Sequence, residues 1–231
     1  MRHSRLPPNA RRPEAVLTLP KESSLKRPVA THERYLAVRA AVQKLAAGAK
    51  SKRTRLQWVR MELALLLVEA TGRRIGAVHG LRWSDIASEP PAITWRKEFD
   101  KRRREQTIPI PASLADEIRT LRAKLGAFGD DWLFPQSVGD HPWHRKRFDA
   151  LMRRAEAEAK VPKLDGGLWH CYRRKWATER RHLPAVDVMK AGGWADRTTM
   201  ETCYQHADDA GVLAAMESPV KLRQRNVVSS A

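Results

Sequence analysis

The sequence is poor in cysteine, in aromatic residues and in long apolar runs. Two cysteines, Cys171 and Cys203, among 231 residues exclude a disulfide framework and cannot hold a zinc ion alone. The longest apolar run, residues 63–68, is far shorter than the ~18 residues a membrane-spanning helix needs. The opening Met1-Arg-His-Ser-Arg-Leu-Pro-Pro has no apolar core, so no secretory signal is visible. These absences predict a cytoplasmic chain without a membrane partner. Aromatics make up 6% of the residues, and nothing resembles the aromatic platform on which unpaired RNA bases stack. No internal repeat is apparent.

Positive charge is abundant. Lys and Arg number 44 against 26 Asp and Glu, a net charge of +18. A field of that size draws polyanions, and nucleic acid is the commonest large polyanion in a cell. With 42% hydrophobic residues the chain can also bury a sizeable core. Charge alone leaves open whether the protein cuts, joins or only binds.

Residues 1–30 hold Pro7, Pro8, Pro13, Pro20 and Pro28 among basic residues, and read as an arm or interdomain linker rather than a packed element. Thr31 can cap a helix over 31–47, with Glu33 in its first turn. A second helix is expected over 54–71, ended by Gly72, and a short one over 74–81. The period then changes. Residues 92–96 and 106–110 read as two strands around a charged turn, with Pro109 at an edge or strand end. Helices are expected over 113–125 and from Pro142 to about 159. A loop with a buried Trp-Leu-Phe lies between them, and helices near 168–182, 184–191, 198–206 and 209–216 complete the chain. The tail from Lys221 is polar. The expected class is mainly α with a small antiparallel β-sheet.

Basic clusters recur around Arg74, residues 96–104, 145–154 and 170–181. In the last, His170-Cys-Tyr-Arg173 sets a histidine and an arginine on one helical face. Arginine offers a permanently charged fork to two phosphate oxygens, and histidine moves protons near neutrality.

Five ordered stretches resemble the tyrosine recombinase, or phage integrase, family. Thr71-Gly-Arg-Arg74-Ile, followed by Leu81-Arg-Trp-Ser-Asp-Ile, is similar to its first active-site box. Lys101, eight residues before Pro109, is similar to its hairpin lysine. His170-Cys-Tyr-Arg173, followed by Ala177-Thr178, is similar to its second box. Gly192-Gly193-Trp194 and Thr198-Thr-Met-Glu-Thr-Cys-Tyr204 are similar to its last two elements. The resemblance covers about residues 30–216.

It implies a DNA breaking-rejoining fold over residues 31–217 and a polar tail over 218–231. It also implies site-specific strand cleavage and rejoining through a 3′-phosphotyrosyl bond. Tyr204 would attack phosphorus, and His170 would take its proton. Arg74 and Arg173 would hold the non-bridging oxygens, and Lys101 would protonate the departing 5′-oxygen, with Lys97 as its rival. Trp194, a donor only, would bond or buttress the phosphate. No metal or other cofactor is implied. Double-stranded DNA is the implied partner, bound by a homo-oligomer, a tetramer, on the nucleoid of a bacterium or archaeon or during phage growth. Further DNA contacts are expected from Arg96, Lys97, Arg102, Arg103, Arg104, Arg145, Lys146, Arg147 and Arg174.

Two departures stand out. Relatives usually carry an acid three residues after the first arginine, where this chain has Ala77. Most also carry an N-terminal core-binding domain, and only a proline-rich segment precedes the first helix here. Two alternatives therefore stay open: a type IB topoisomerase-like nicking-closing enzyme, and a DNA-binding protein without catalysis.

Overall fold

A computed structural model describes residues 27–100, 103–127, 129–136, 140–207 and 209–217. Nine α-helices, two short 3₁₀ helices and three strands are found among them. The α-helices are α1 (His32–Ala47), α2 (Lys52–Thr71), α3 (Ile75–His79), α4 (Ala112–Leu125), α5 (Arg145–Glu158), α6 (His170–Glu179), α7 (Ala185–Gly192), α8 (Arg197–Cys203) and α9 (Asp209–Glu217). The strands β1 (Ile86–Ser88), β2 (Pro91–Trp95) and β3 (Gln106–Pro109) form one antiparallel sheet in the order β1-β2-β3.

The core is built around α2. Ser51 caps it by accepting from the Thr54 amide, and Gly72 ends it in the left-handed conformation, at φ 64°. From Trp58 to Val68 almost every side chain is buried. A helix apolar on all sides must be surrounded, and α1, α3, α4, α5 and α6 pack around this one. Tyr35, Val38 and Val42 bring α1 in, Leu114, Ile118 and Leu121 bring α4, and Phe148 and Met152 bring α5. Cations at this boundary are matched by carboxylates: Arg34 meets Glu156, Arg39 meets Glu62, and Lys175 meets Glu69.

A second, smaller cluster holds Trp176, Ala177, Val188, Trp194 and Met200, with Tyr204 packed against it. It fastens α7 and α8 to the end of α6.

The expected elements occur, with four differences. β1 is a third strand; with three residues, two of them exposed, it has no alternation to read. Pro142 does not open a helix. It pairs with Pro135, and the Trp143 amide donates to Phe134 O at 2.6 Å, which holds the segment extended until His144 caps α5. In the loop before it, Leu133 and Phe134 are buried, but Trp132 is only half-buried beneath the Arg82 guanidinium, 3.9 Å from its ring centre. Finally, residues 28–30 are at least partly buried: the Ala30 amide donates to Cys171 O, and Ala30 is buried against the core.

Candidate active site

The turn between α2 and α3 carries two adjacent arginines with different surroundings. Arg73 is 2% exposed. Its Nε donates to Ala191 O and its Nη2 to Lys190 O, both at 2.9 Å, and Nη2 also reaches Gln106 Oε1 at 3.0 Å. The guanidinium lies over Trp95, and burial lowers its pKa to about 10. It clasps the end of α7 to β3. Arg74 instead lines an open cavity of about 280 Å³ together with His170, Arg173 and Arg145. A second cavity of about 290 Å³ is lined by Arg74, Arg104 and Trp194. Of this adjacent pair the family resemblance singles out Arg74, and Arg74 lines the cavity while Arg73 forms the clasp.

The first turn of α6 supplies His170 and Arg173. Arg173 is 1% exposed. Its Nη1 donates to the carbonyls of Gly72 and Gly192, so α2 and α7 aim it. Its Nε and Nη2 are buried without a partner among the described residues. The guanidinium lies 3.5 Å from the ring centre of Trp194 and 5.1 Å from that of Tyr204. Burial, reinforced by the charge of Arg74, lowers its pKa to about 9, which leaves it charged at neutral pH. Burial, with Arg173 and Arg174 nearby, lowers the pKa of His170 to about 4. The imidazole is therefore neutral near pH 7, in the form that accepts a proton.

The three tyrosines are sorted by burial. Tyr35 and Tyr172 are 4% and 0% exposed. Burial raises Tyr35 to about 12 and Tyr172 higher still. Tyr204, half-buried just after α8, lies edge-on to Trp194 at 5.3 Å between ring centres and 6.2 Å from His170. Thr178 Oγ1 donates to Tyr204 O at 3.1 Å and accepts from the His206 amide. Trp194 is stacked on Trp176, and its Nε1 is a buried donor without a partner among the described residues. Asp196 caps α8 through the Thr199 amide.

The structure thus brings Arg74, His170, Arg173, Trp194 and Tyr204 together. Lys101 and Arg102 lie outside the described residues. Lys97, Arg103 and Arg104 are exposed on the hairpin, and Arg145 and Lys146 at the start of α5. Arg147 is half-buried, donating to Gln57 Oε1. Two of the residues expected to bind DNA are otherwise engaged. Arg174 is 2% exposed, with Nε on Pro28 O and both terminal nitrogens on Gly166 O. It points away from solvent because the next turn of α6 faces residues 28–30. Arg96 is tied by its Nε to the buried Asp85 carboxylate at 2.7 Å. Ala77 lines the first cavity without a carboxylate, while Glu98 and Asp100 line the same cavity from the hairpin.

The family model described as the phage integrase family matches residues 38–210. Among solved structures, the fold is similar to that of XerA recombinase, with a TM-score of 0.62 and 17% identity over 83% of this chain and 65% of that one. It is similar to XerH site-specific recombinase bound to its palindromic difH substrate in a post-cleavage complex: TM-score 0.62, 18% identity, 83% of this chain and 53% of that one. It is similar also to the catalytic domain of bacteriophage HP1 integrase: TM-score 0.51, 16% identity, 83% of this chain and 95% of that one. The chain therefore spans less than two thirds of the first two proteins. No curated protein matches it by sequence.

Proposed function

Since the chain belongs to the phage integrase family, we propose that it cuts and rejoins double-stranded DNA at defined sites through a 3′-phosphotyrosyl intermediate. One observation carries the reading. The only tyrosine among three with access to solvent stands against His170, Arg173 and Trp194, beside a basic cavity that Arg74 shares.

The chemistry follows from the groups. A phosphodiester is anionic, and its pentavalent transition state gathers more negative charge. Arg74 and the open nitrogens of Arg173 meet the non-bridging oxygens, where fixed donors stabilise that charge without reorganising. The free Trp194 Nε1–H is a further donor. Neutral His170 accepts the Tyr204 proton as the phenolic oxygen attacks phosphorus and the bond to the 5′-oxygen breaks. Lys101 gives a proton to that oxygen. The phosphotyrosyl bond retains the energy of the broken diester, so a second 5′-hydroxyl can reverse the step and join a new strand. Residues 31–217 form the catalytic unit, working as a tetramer on paired sites.

A pool of nicked duplexes, in which the short cleaved end diffuses away, tests the reading. We expect a denaturant-resistant adduct with DNA linked 3′ to Tyr204, absent from Tyr204→Phe. Salt-sensitive binding with no adduct, even in a longer chain carrying a core-binding domain, would replace the cleavage mechanism by DNA binding alone.

A further inference from the structure

A third cavity, of about 200 Å³, lies away from Tyr204 and is lined by Arg53, Gln57 and Arg60 from α2 and by Gln136, Trp143 and Arg147. Arg145, two residues before Arg147, lines the first cavity. Two positions on a helix differ by about 200° in direction, so α5 turns one arginine into each.

Three guanidinium groups converge on this space, and no carboxylate lines it among the described residues. Burial and the charge of Arg147 lower the pKa of Arg60, and burial and the charge of Arg53 lower that of Arg147. Asp131 exerts the opposing pull on Arg60, but it is exposed and outside the cavity lining. Arg147 is held in place by neutral groups. Its Nη2 donates to Gln57 Oε1 at 2.6 Å, and its guanidinium lies 4.7 Å from the Trp143 ring centre. Arg60 Nε is buried without a partner among the described residues. Other buried or half-buried cations meet carboxylates, as in the pairs Arg34–Glu156, Arg96–Asp85 and Lys175–Glu69, or backbone carbonyls, as Arg73 and Arg174 do. A buried charged donor left unpaired costs free energy, so a ligand that removes the cost is strongly favoured.

The chemistry of the lining selects that ligand. Arginine forks suit an oxyanion with several acceptor oxygens. The Gln57 carbonyl oxygen is already occupied by Arg147, which leaves its amide nitrogen to donate. We propose that Arg53, Arg60 and Arg147 form a second phosphate site, separate from the Arg74–Arg173 cavity, which takes a backbone phosphate of bound DNA. The DNA source rests on the function proposed above; the affinity for phosphate does not.

Two measurements on the whole chain test this. In the first, the Arg60 Nε–Hε resonance, identified by its loss in Arg60→Lys, is followed during titration with inorganic phosphate against chloride of equal ionic strength. We expect a saturable shift with phosphate only. In the second, duplex affinity is measured against salt for the native chain, Arg60→Gln and Arg147→Gln. One lost phosphate contact lowers the slope of log K on log[salt] by about 0.9, alike for all DNA sequences, and we expect that loss in each variant. A phosphate shift with unchanged slopes would overturn the DNA source and leave a site for free phosphate. No shift and unchanged slopes would overturn the site. A native chain that binds no DNA would defeat the DNA reading, while the titration would still decide the site. Melting in chloride separates the remaining case: removing one of three repelling cations should leave Tm level or higher. A fall in Tm without a phosphate shift would mark Arg60 as structural and overturn the proposal.

Discussion

His170 shows how burial sets a residue's chemistry. A free histidine titrates near 6.5, whereas burial and the surrounding arginines bring this one to about 4. Under the proposed role the basic form persists into mild acid. Single-turnover cleavage should therefore show no histidine inflection between about pH 5.5 and 7, where a solvated imidazole would titrate. An inflection near 6.5 in pre-loaded complexes would oppose the assignment. Stability carries the same signature. The unfolded chain binds this proton at higher pH than the folded one, so on this group's account stability rises with pH from about 4 to 6.5 and is lost on acidification. Urea unfolding of the native chain and His170→Gln across that range isolates the contribution. Arg145 and Arg174 also separate at this scale. Arg145→Gln, at an exposed position on the cavity rim, should lower the salt slope of DNA binding by about one. Arg174→Gln should leave the slope unchanged and cost about 1–3 kcal/mol of stability, because Pro28 O and Gly166 O lose a charged donor.

At the scale of elements, the site depends on where helices stop. Gly72 ends α2 at φ 64°, and a Cβ there would meet Trp176 Cδ2 at 2.5 Å. Its carbonyl receives Arg173 Nη1. Gly193 ends α7 at φ 69°, with the Arg73 guanidinium against it. The two turns give Arg173 and Trp194 their positions. Gly72→Ala should therefore lose more than the ~1 kcal/mol that a strained left-handed alanine costs, since Trp176 must also shift. DNA cleavage should fall more steeply than duplex binding, as read by denaturation and single-turnover assays on one preparation. The motif and the turn are legible together in Thr71-Gly-Arg-Arg74, but the partners of Arg73 are not. They come from α7 and β3, which lie far away in sequence.

On the scale of the whole molecule, two apolar clusters divide the labour. The larger one, around α2, holds Arg74 and α6, and the smaller one carries Trp194 and seats Tyr204. Beyond Tyr204, α9 leaves Val212, Leu213 and Met216 51–80% exposed. Under the proposed tetrameric assembly these residues pack on a neighbouring copy. Leu213→Asp with Met216→Asp should leave the melting temperature of the free chain within about 2 °C, because exposed substitutions cost little. It should reduce the formation of paired DNA complexes in sedimentation. Equal pairing by native and substituted chains would remove α9 from the assembly.

The sequence alone determined the helical class, the cap residue Thr31 and the stop residue Gly72, and the ordered boxes, because local periodicity and short-range motifs record these directly. It also carried the basic field, since charge needs no fold to be counted. Only the tertiary structure decided which cations are spent within the fold and which keep donors unpaired. Arg73 and Arg174 are spent on backbone carbonyls, Arg96 is spent on Asp85, and Arg173 keeps two nitrogens open. The strand β1 and the extended Pro142 depend on backbone pairing that side-chain periodicity does not record, β1 with β2 and Pro142 with Pro135. The free energy of a buried charge or amide depends on the partner that the fold brings to it, which the residue's own side chain does not specify.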